Sequence, residues 1–241
     1  MTFERGIWKE SARNFWANKW VALTAVGLIT AVSLFQDYTH SKSSGGIWVE
    51  FAWLPVAIVA HATILNGTTG FNTMGGSQYK TVFSPFLWRS MGLSLIGIIP
   101  AAAITIPLAG PANKTVFIYL FTAIYAATES FILAKWGTML PACVANGDRT
   151  FKTAGTRGIK IFRYVLGRFW ACNAVVLVGG FAGLIAAYVA VATISDDVLK
   201  LANHDLLQPL LQVSLFTLFA FNLVMLATIL SRAYLIAENK T

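Results

Sequence analysis

Gly92-Leu-Ser-Leu-Ile-Gly-Ile-Ile-Pro-Ala-Ala-Ala-Ile-Thr-Ile-Pro-Leu-Ala109 runs without a single ionisable side chain. A helix needs about 20 mostly apolar residues to cross ~30 Å of hydrocarbon, so this stretch has the length and polarity of a membrane span. Five more segments read the same way: Trp20–Phe35, Ile47–Leu65, Thr115–Leu133, Ala171–Ile194 and Leu210–Ile229. Composition agrees: 56% of the 241 residues are hydrophobic and 12% charged, against ~25% charged in soluble proteins. The expected fold is therefore an all-α integral membrane protein, with six transmembrane helices arranged as three hairpins in a single domain over residues 1–241.

The basic residues orient it. Of eighteen Lys and Arg, only Lys42, Lys114 and Lys200 fall in the first, third and fifth connections. The other fifteen lie at the two ends and in the second and fourth connections, seven of them between Lys135 and Arg168. Lys and Arg are retained on the cytoplasmic side, so both termini are expected to be cytoplasmic, in a bacterial inner membrane. The first 19 residues hold four bases, two acids and no apolar core, so the first apolar run reads as a retained helix rather than a cleavable signal. The net charge of +8 is accounted for by orientation and anionic lipid, and no nucleic-acid partner is expected. Cys143 and Cys172 form neither a disulfide scaffold nor a metal-ligand pattern.

Each expected hairpin is entered through an aromatic-basic segment: Phe15-Trp16, Phe86-Leu87-Trp88-Arg89 and Arg168-Phe169-Trp170. Three of these flanks read as interfacial amphipathic segments, at 1–16, 78–88 and 151–169, the second interrupted by Pro85. At 100° per residue, Phe151, Gly155, Gly158, Ile159, Phe162, Val165, Leu166 and Phe169 share one face of the third. Lys152, Thr156, Arg157, Lys160, Arg163 and Tyr164 share the other, with Asp148 or Thr150 as N-cap. Lys152, Arg157, Lys160, Arg163 and Arg168 are the expected surface for anionic lipid headgroups. The Gly-rich loop Asn66–Gly76 is expected to be flexible.

Glu129 is the ionisable residue placed deepest in an apolar run. Such a residue costs ~2.5–3.5 kcal/mol at membrane depth, and usually faces the bundle interior. An intramembrane polar site would join Glu129 to His61, Asn222, Tyr125 and Lys135. It serves either proton- or cation-coupled transport or interhelical hydrogen bonding. Asn173 and Asn222 read as interhelical partners, and Pro55, Pro100 and Pro107 as bends. His40, His204, Asp37, Asp196, Asp197 and Asp205 lack the spacing of a metal site, and no metal or cofactor is expected. Neither hydrolase nor phosphate-loop signatures occur.

Leu140-Pro-Ala-Cys-Val-Ala-Asn-Gly-Asp148, with Ala154-Gly-Thr-Arg157 and Arg168-Phe-Trp170 after it, resembles the membrane domains found beside some glycerophosphodiester phosphodiesterases. The resemblance covers about 30 residues and implies a polytopic bacterial membrane domain. The phosphodiesterase catalytic domain has no counterpart here, so it implies no activity. The Pro-x-Asp/Glu-x-x-Lys/Arg signature of mitochondrial carriers is missing. The leading expectation is a non-catalytic multi-pass protein for envelope organisation, or a subunit or homo-oligomer in a membrane assembly. The alternative is a transporter or channel for a small solute using Glu129.

Overall fold

The computed structural model describes residues 3–39, 45–75, 77–109, 114–180, 182–183, 186, 189 and 207–239. His40, Lys42, Asn113, Asp196, Asp197, Lys200, His204 and Asp205 lie outside the described residues, as does much of the expected fifth span. All regular elements among the described residues are helical: α1 (Phe3–Ala17), α2 (Lys19–Thr39), α3 (Gly45–Asn66), α4 (Phe71–Gly75), α5 (Ser77–Ala109), α6 (Lys114–Trp136), α7 (Met139–Val144), α8 (Phe151–Asn173), a π-helical turn (Ala174–Gly179) and α9 (Leu207–Ala237).

Three of these helices, not six, are long and apolar enough to cross a membrane among the described residues. Their apolar segments are Lys19–Gln36 in α2, Tyr79–Leu108 in α5 and Pro209–Ala237 in α9. They match the first, third and sixth expected spans. The apolar part of α3 is the shorter Phe51–Asn66, roughly 24 Å of helix against ~30 Å of hydrocarbon. The expected fourth span, Thr115–Leu133, lies on α6, which carries Glu129 and Lys135 in its second half. Residues 78–88 are continuous with the expected third span. They open the 33-residue α5, which continues through Pro85, Pro100 and Pro107. At 1.5 Å per residue α5 is about 50 Å long, so it outreaches the hydrocarbon by some 20 Å unless tilted.

The chain separates into two compact units. The first holds residues 1–63, 67–75 and 171–228. Its core is built from Val21, Ala22, Ala25 and Val26 of α2, Val56, Val59 and Ala60 of α3, and Ala220, Val224 and Ala227 of α9. Residues this small let helix backbones approach closely, the usual way of packing helices where lipid removes the hydrophobic drive. Phe221 of α9 stacks on Trp8 at 6.4 Å and meets Phe15 edge-on at 5.6 Å.

A polar network runs through this unit. α1 buries Ile7, Ser11 and Asn14, and Asn18 follows in register at the junction with α2. Asn14 Nδ2 donates to the Ala60 carbonyl at 3.0 Å and to Thr228 Oγ1 at 3.1 Å. Asn18 Nδ2 reaches Asn14 Oδ1 and Thr63 Oγ1, both at 2.8 Å. Asn18 Oδ1 accepts the Gly70 N–H at 2.7 Å, and the Thr63 hydroxyl donates to the Thr68 carbonyl at 2.9 Å. Two side chains thus tie α1, α3, α9 and the Gly-rich loop together. The loop is pinned rather than loose, and Gly67 and Gly70 supply its turn with φ of 70° and 62°.

The second unit holds residues 64–66, 76–170 and 229–241. α5 and α6 pair closely at Gly97, where a Cβ would meet Tyr125 at 3.3 Å. The Thr128 hydroxyl donates to the Gly97 carbonyl at 3.2 Å. α7 is buried throughout, and Phe86, Phe169 and Tyr234 are among the largest fully buried side chains.

Asn18→Ala would strip partners from Gly70, Thr63 and Asn14 at once. Leaving such buried groups unmet costs about 1–3 kcal/mol. The variant should unfold at a lower temperature in detergent, and amide exchange at Gly70 should speed up; unchanged exchange there would refute the assignment.

Candidate functional site

Tyr125, Glu129 and Lys135 all stand on α6 in the second unit. Glu129 is half-buried, and its Cα lies 3.7 Å from where a Gly97 Cβ would be. Phe117, Phe121 and Tyr125 stack one above another at 5.9 and 6.0 Å. Lys135 is exposed, six residues or roughly 9 Å along the helix from Glu129. His61 and Asn222 belong to the first unit. His61 is fully buried, and Asn222 Nδ2 donates to Asn173 Oδ1 at 2.9 Å, the interhelical pairing expected of two asparagines. Two cavities stand out among the described residues, and neither is lined by Glu129 or His61. One, of about 390 Å³, lies in the first unit between α2 and α3, against Phe71, and has no charged lining residue. The other is a groove of about 460 Å³ in the second unit. No group of three or more His, Cys, Asp or Glu side chains is placed to hold a metal among the described residues.

α8 forms as expected, and its start uses both candidate caps. The Thr153 N–H donates to Thr150 Oγ1 at 3.3 Å. Asp148 accepts the Thr150 N–H at 2.9 Å and the Thr153 hydroxyl at 2.6 Å. These bonds, Thr153 first, hold the exposed Asp148 carboxyl below the usual range.

The helix is rotated from the expected two-faced arrangement. Its buried stripe is Ala154, Arg157, Gly158, Ile161, Val165, Arg168, Phe169 and Cys172, a spacing of three and four residues. Next around the helix comes an uncovered apolar arc, with Ile159 76% and Trp170 53% exposed and Phe162 and Leu166 half-buried. Beyond that lies an exposed basic ridge of Lys152, Lys160 and Arg163. A glycine sets this rotation: a Cβ on Gly158 would overlap the Lys135 carbonyl, so the α8 backbone rests on the end of α6.

Two of the five expected lipid-facing bases are therefore buried. Arg157 is 3% exposed. Its Nη2 donates to the Asp148 carbonyl, its Nη1 lies 3.4 Å from Glu238 Oε1, and its guanidinium sits 5.0 Å from the Tyr234 ring centre. Arg168, 9% exposed, donates to the Tyr164 carbonyl at 3.0 Å and lies 3.4 Å over the Tyr164 ring. The helical span of α8 and its N-terminal caps were legible in the sequence. That Arg157 turns inward depends on Glu238 and Tyr234, some 80 residues away, and no local pattern carries that. The Asn14–Asn18 network was missed as well. Its signal is the polar spacing Ser11, Asn14, Asn18 on one side of α1.

Among the described residues, three helices are long and apolar enough to cross a bilayer, the makeup of a membrane protein. Searches against protein-family models, characterised proteins and solved structures find no match.

Gly158→Ala should destabilise by about 1–3 kcal/mol, because a backbone carbonyl cannot swing aside as a side chain can. Gly167 also lies within α8, with nothing within 4 Å of its would-be Cβ. Gly167→Ala should be neutral or stabilising by up to ~1 kcal/mol. Equal melting temperatures for the two variants would contradict the crossing geometry.

The depressed Asp148 carboxyl stabilises the fold above the ordinary carboxylate range. That contribution is lost as pH falls through its lowered folded pKa. Protection of the Thr150 and Thr153 amides, relative to their intrinsic exchange rates, should fall on acidification into that range, and Asp148→Asn should remove the pH dependence of that protection.

Proposed function

We propose that this chain is a non-catalytic, multi-pass protein of a bacterial inner membrane that organises the envelope or serves as a subunit of a membrane assembly. In this reading it has six spans as three hairpins, and both termini are cytoplasmic. α8 is a docked interfacial helix that holds anionic headgroups.

The observation that carries it is the three-part surface of α8. One face is buried in the protein, the next arc is apolar and uncovered, and the third is a ridge of Lys152, Lys160 and Arg163. Water alone offers no reason to leave Ile159 and Trp170 uncovered beside three cations. A bilayer interface does, with acyl chains beside the arc and phosphates beside the ridge. The aromatic entries support it. Trp16, Trp88 and Trp170 are 68%, 68% and 53% exposed, as expected of rings at headgroup level. Lys19 lies 4.4 Å over the Trp16 ring, its ammonium free to meet phosphate.

Two measurements test it. Reporter fusions at Lys42, Lys114 and Lys200 should read outside and one at Lys160 inside; an inside reading at Lys114 would remove the six-span topology. Amide exchange in α8 should be slower in anionic than in zwitterionic nanodiscs. The difference should fade in 1 M salt, where the Debye length is about 3 Å. Changing Lys152, Lys160 and Arg163 together to Gln should abolish it. Exchange indifferent to lipid charge would favour a protein partner on this surface.

A further inference from the structure

We infer that the groove between α6 and α8 is a binding site for a single anionic phospholipid, with an acyl chain along the groove and the phosphate at Lys135. The groove is lined by Phe131, Ile132, Lys135, Trp136, Ile159 and Phe162, with a volume of about 460 Å³. That lies within the ~300–1,000 Å³ of ordinary ligand pockets. Five of the six residues are apolar or aromatic, and the sixth is a cation. Phe131 and Phe162 meet at 6.0 Å, while Phe131 is still 50% and Ile159 76% exposed. The Lys135 ammonium lies 4.5 Å from the centre of the Trp136 ring, and the residue is exposed.

Charge complementarity selects the occupant. An apolar slot with one cation in its lining matches a molecule with a long apolar tail and an anionic group at its end. The surrounding charge has the same sign. Arg163 stands one turn beyond Ile159 on α8, and Lys152 about two turns before it. The 390 Å³ cavity of the first unit has an equally apolar wall but no charged residue, so nothing there would hold a headgroup. The groove is built into the fold. Gly158 against the Lys135 carbonyl and Gly155 beside Trp136 bring α8 close enough to α6 to form it.

This inference rests on the membrane reading above, and its test is separable from the test of that reading. The unaltered full chain is reconstituted in nanodiscs of phosphatidylcholine containing a trace of phosphatidylglycerol with a diazirine on its acyl chain. After photolysis, crosslinks should concentrate on peptides bearing Phe131, Ile159 and Phe162. Excess unlabelled phosphatidylglycerol should remove them more effectively than excess phosphatidylcholine. Lys135→Gln should weaken that preference by about fivefold, the effect of one interfacial charge. Ile159→Trp places a bulky ring in the slot at an exposed position and should displace crosslinking from it.

Crosslinks spread evenly over other exposed apolar residues, such as Leu28 and Ile106, would overturn the site. So would equal competition by the two lipids. Either result leaves the exchange experiment on the α8 ridge to stand or fall independently.

Discussion

The α8 backbone lies directly on the Lys135 carbonyl near the end of α6, and this crossing constrains the surface that α8 presents. Any side chain at position 158 would occupy the space of the Lys135 carbonyl. Contact this close fixes the rotation of α8 about its own axis, because only the glycine side can face α6. Once Gly158 points inward, helical geometry sends Ala154, Ile161 and Val165 inward too and Lys160 outward. Arg157 and Ile159 flank Gly158 on opposite sides, and the contacts of Arg157 with Glu238 and the Asp148 carbonyl turn it inward and leave Ile159 uncovered. The uncovered apolar arc, the basic ridge and the groove beside Trp136 follow from these contacts together. Gly155, near the Trp136 indole, extends the same close approach by one turn.

Turning Arg157 inward sets a second requirement. A buried guanidinium is tolerable only when its charge and its donors are met. The C-terminal end of α9 supplies much of this, through Glu238 and the Tyr234 ring. The Asp148 carbonyl adds an acceptor from the turn before α8. That turn depends on α9 as well, since a Cβ on Gly147 would collide with the Tyr234 hydroxyl. Asn146 sits in the left-handed region at φ 53° to make the turn. Asp148 meanwhile organises the helix start through Thr150 and Thr153. The segment before α8 is therefore shaped for closure against α9, and catalysis is not needed to explain its polar residues.

What was legible in the sequence divides along a physical line. Helical class, the apolar runs of α2, α5 and α9, and the amphipathic character of α8 follow from local composition and a 3.6-residue period. Local reading reaches those. It also identified Asn173 and Asn222 as hydrogen-bond partners, because an amide inside an apolar run has few alternatives. It took Pro85 as a break, yet α5 runs through it, since a helix can lose one backbone donor where packing sustains it. It read residues 66–76 as flexible from their glycines, and had no means of knowing that Asn18, some 50 residues earlier, accepts the Gly70 N–H. Long-range polar pairs decide these cases, and they leave no periodic trace.

The same distinction changes the accounting of charge on α8. Five bases on one helix suggest an electrostatic anchor of about 5 kcal/mol, at ~1 kcal/mol for each residue near an anionic surface. Two of the five are committed to the protein interior, which leaves about 3 kcal/mol for lipid. That remainder is screened by salt and is a modest hold by itself. In the proposed reading the uncovered apolar arc would compensate. Burying a side chain such as Ile159 or Phe162 in acyl chains contributes about 1.5–3 kcal/mol each, and ordinary salt does not weaken it. Two such residues equal or exceed the whole basic ridge. On the proposed reading, anionic lipid would decide where α8 lies and which lipid it prefers, while apolar contact would decide how firmly it stays. In the proposed topology Arg157 and Arg168 would still count toward cytoplasmic orientation, because that choice acts on the inserting chain. On that reading the basic residues of α8 would divide between internal pairing, which Arg157 and Arg168 show, and lipid contact by the exposed Lys152, Lys160 and Arg163.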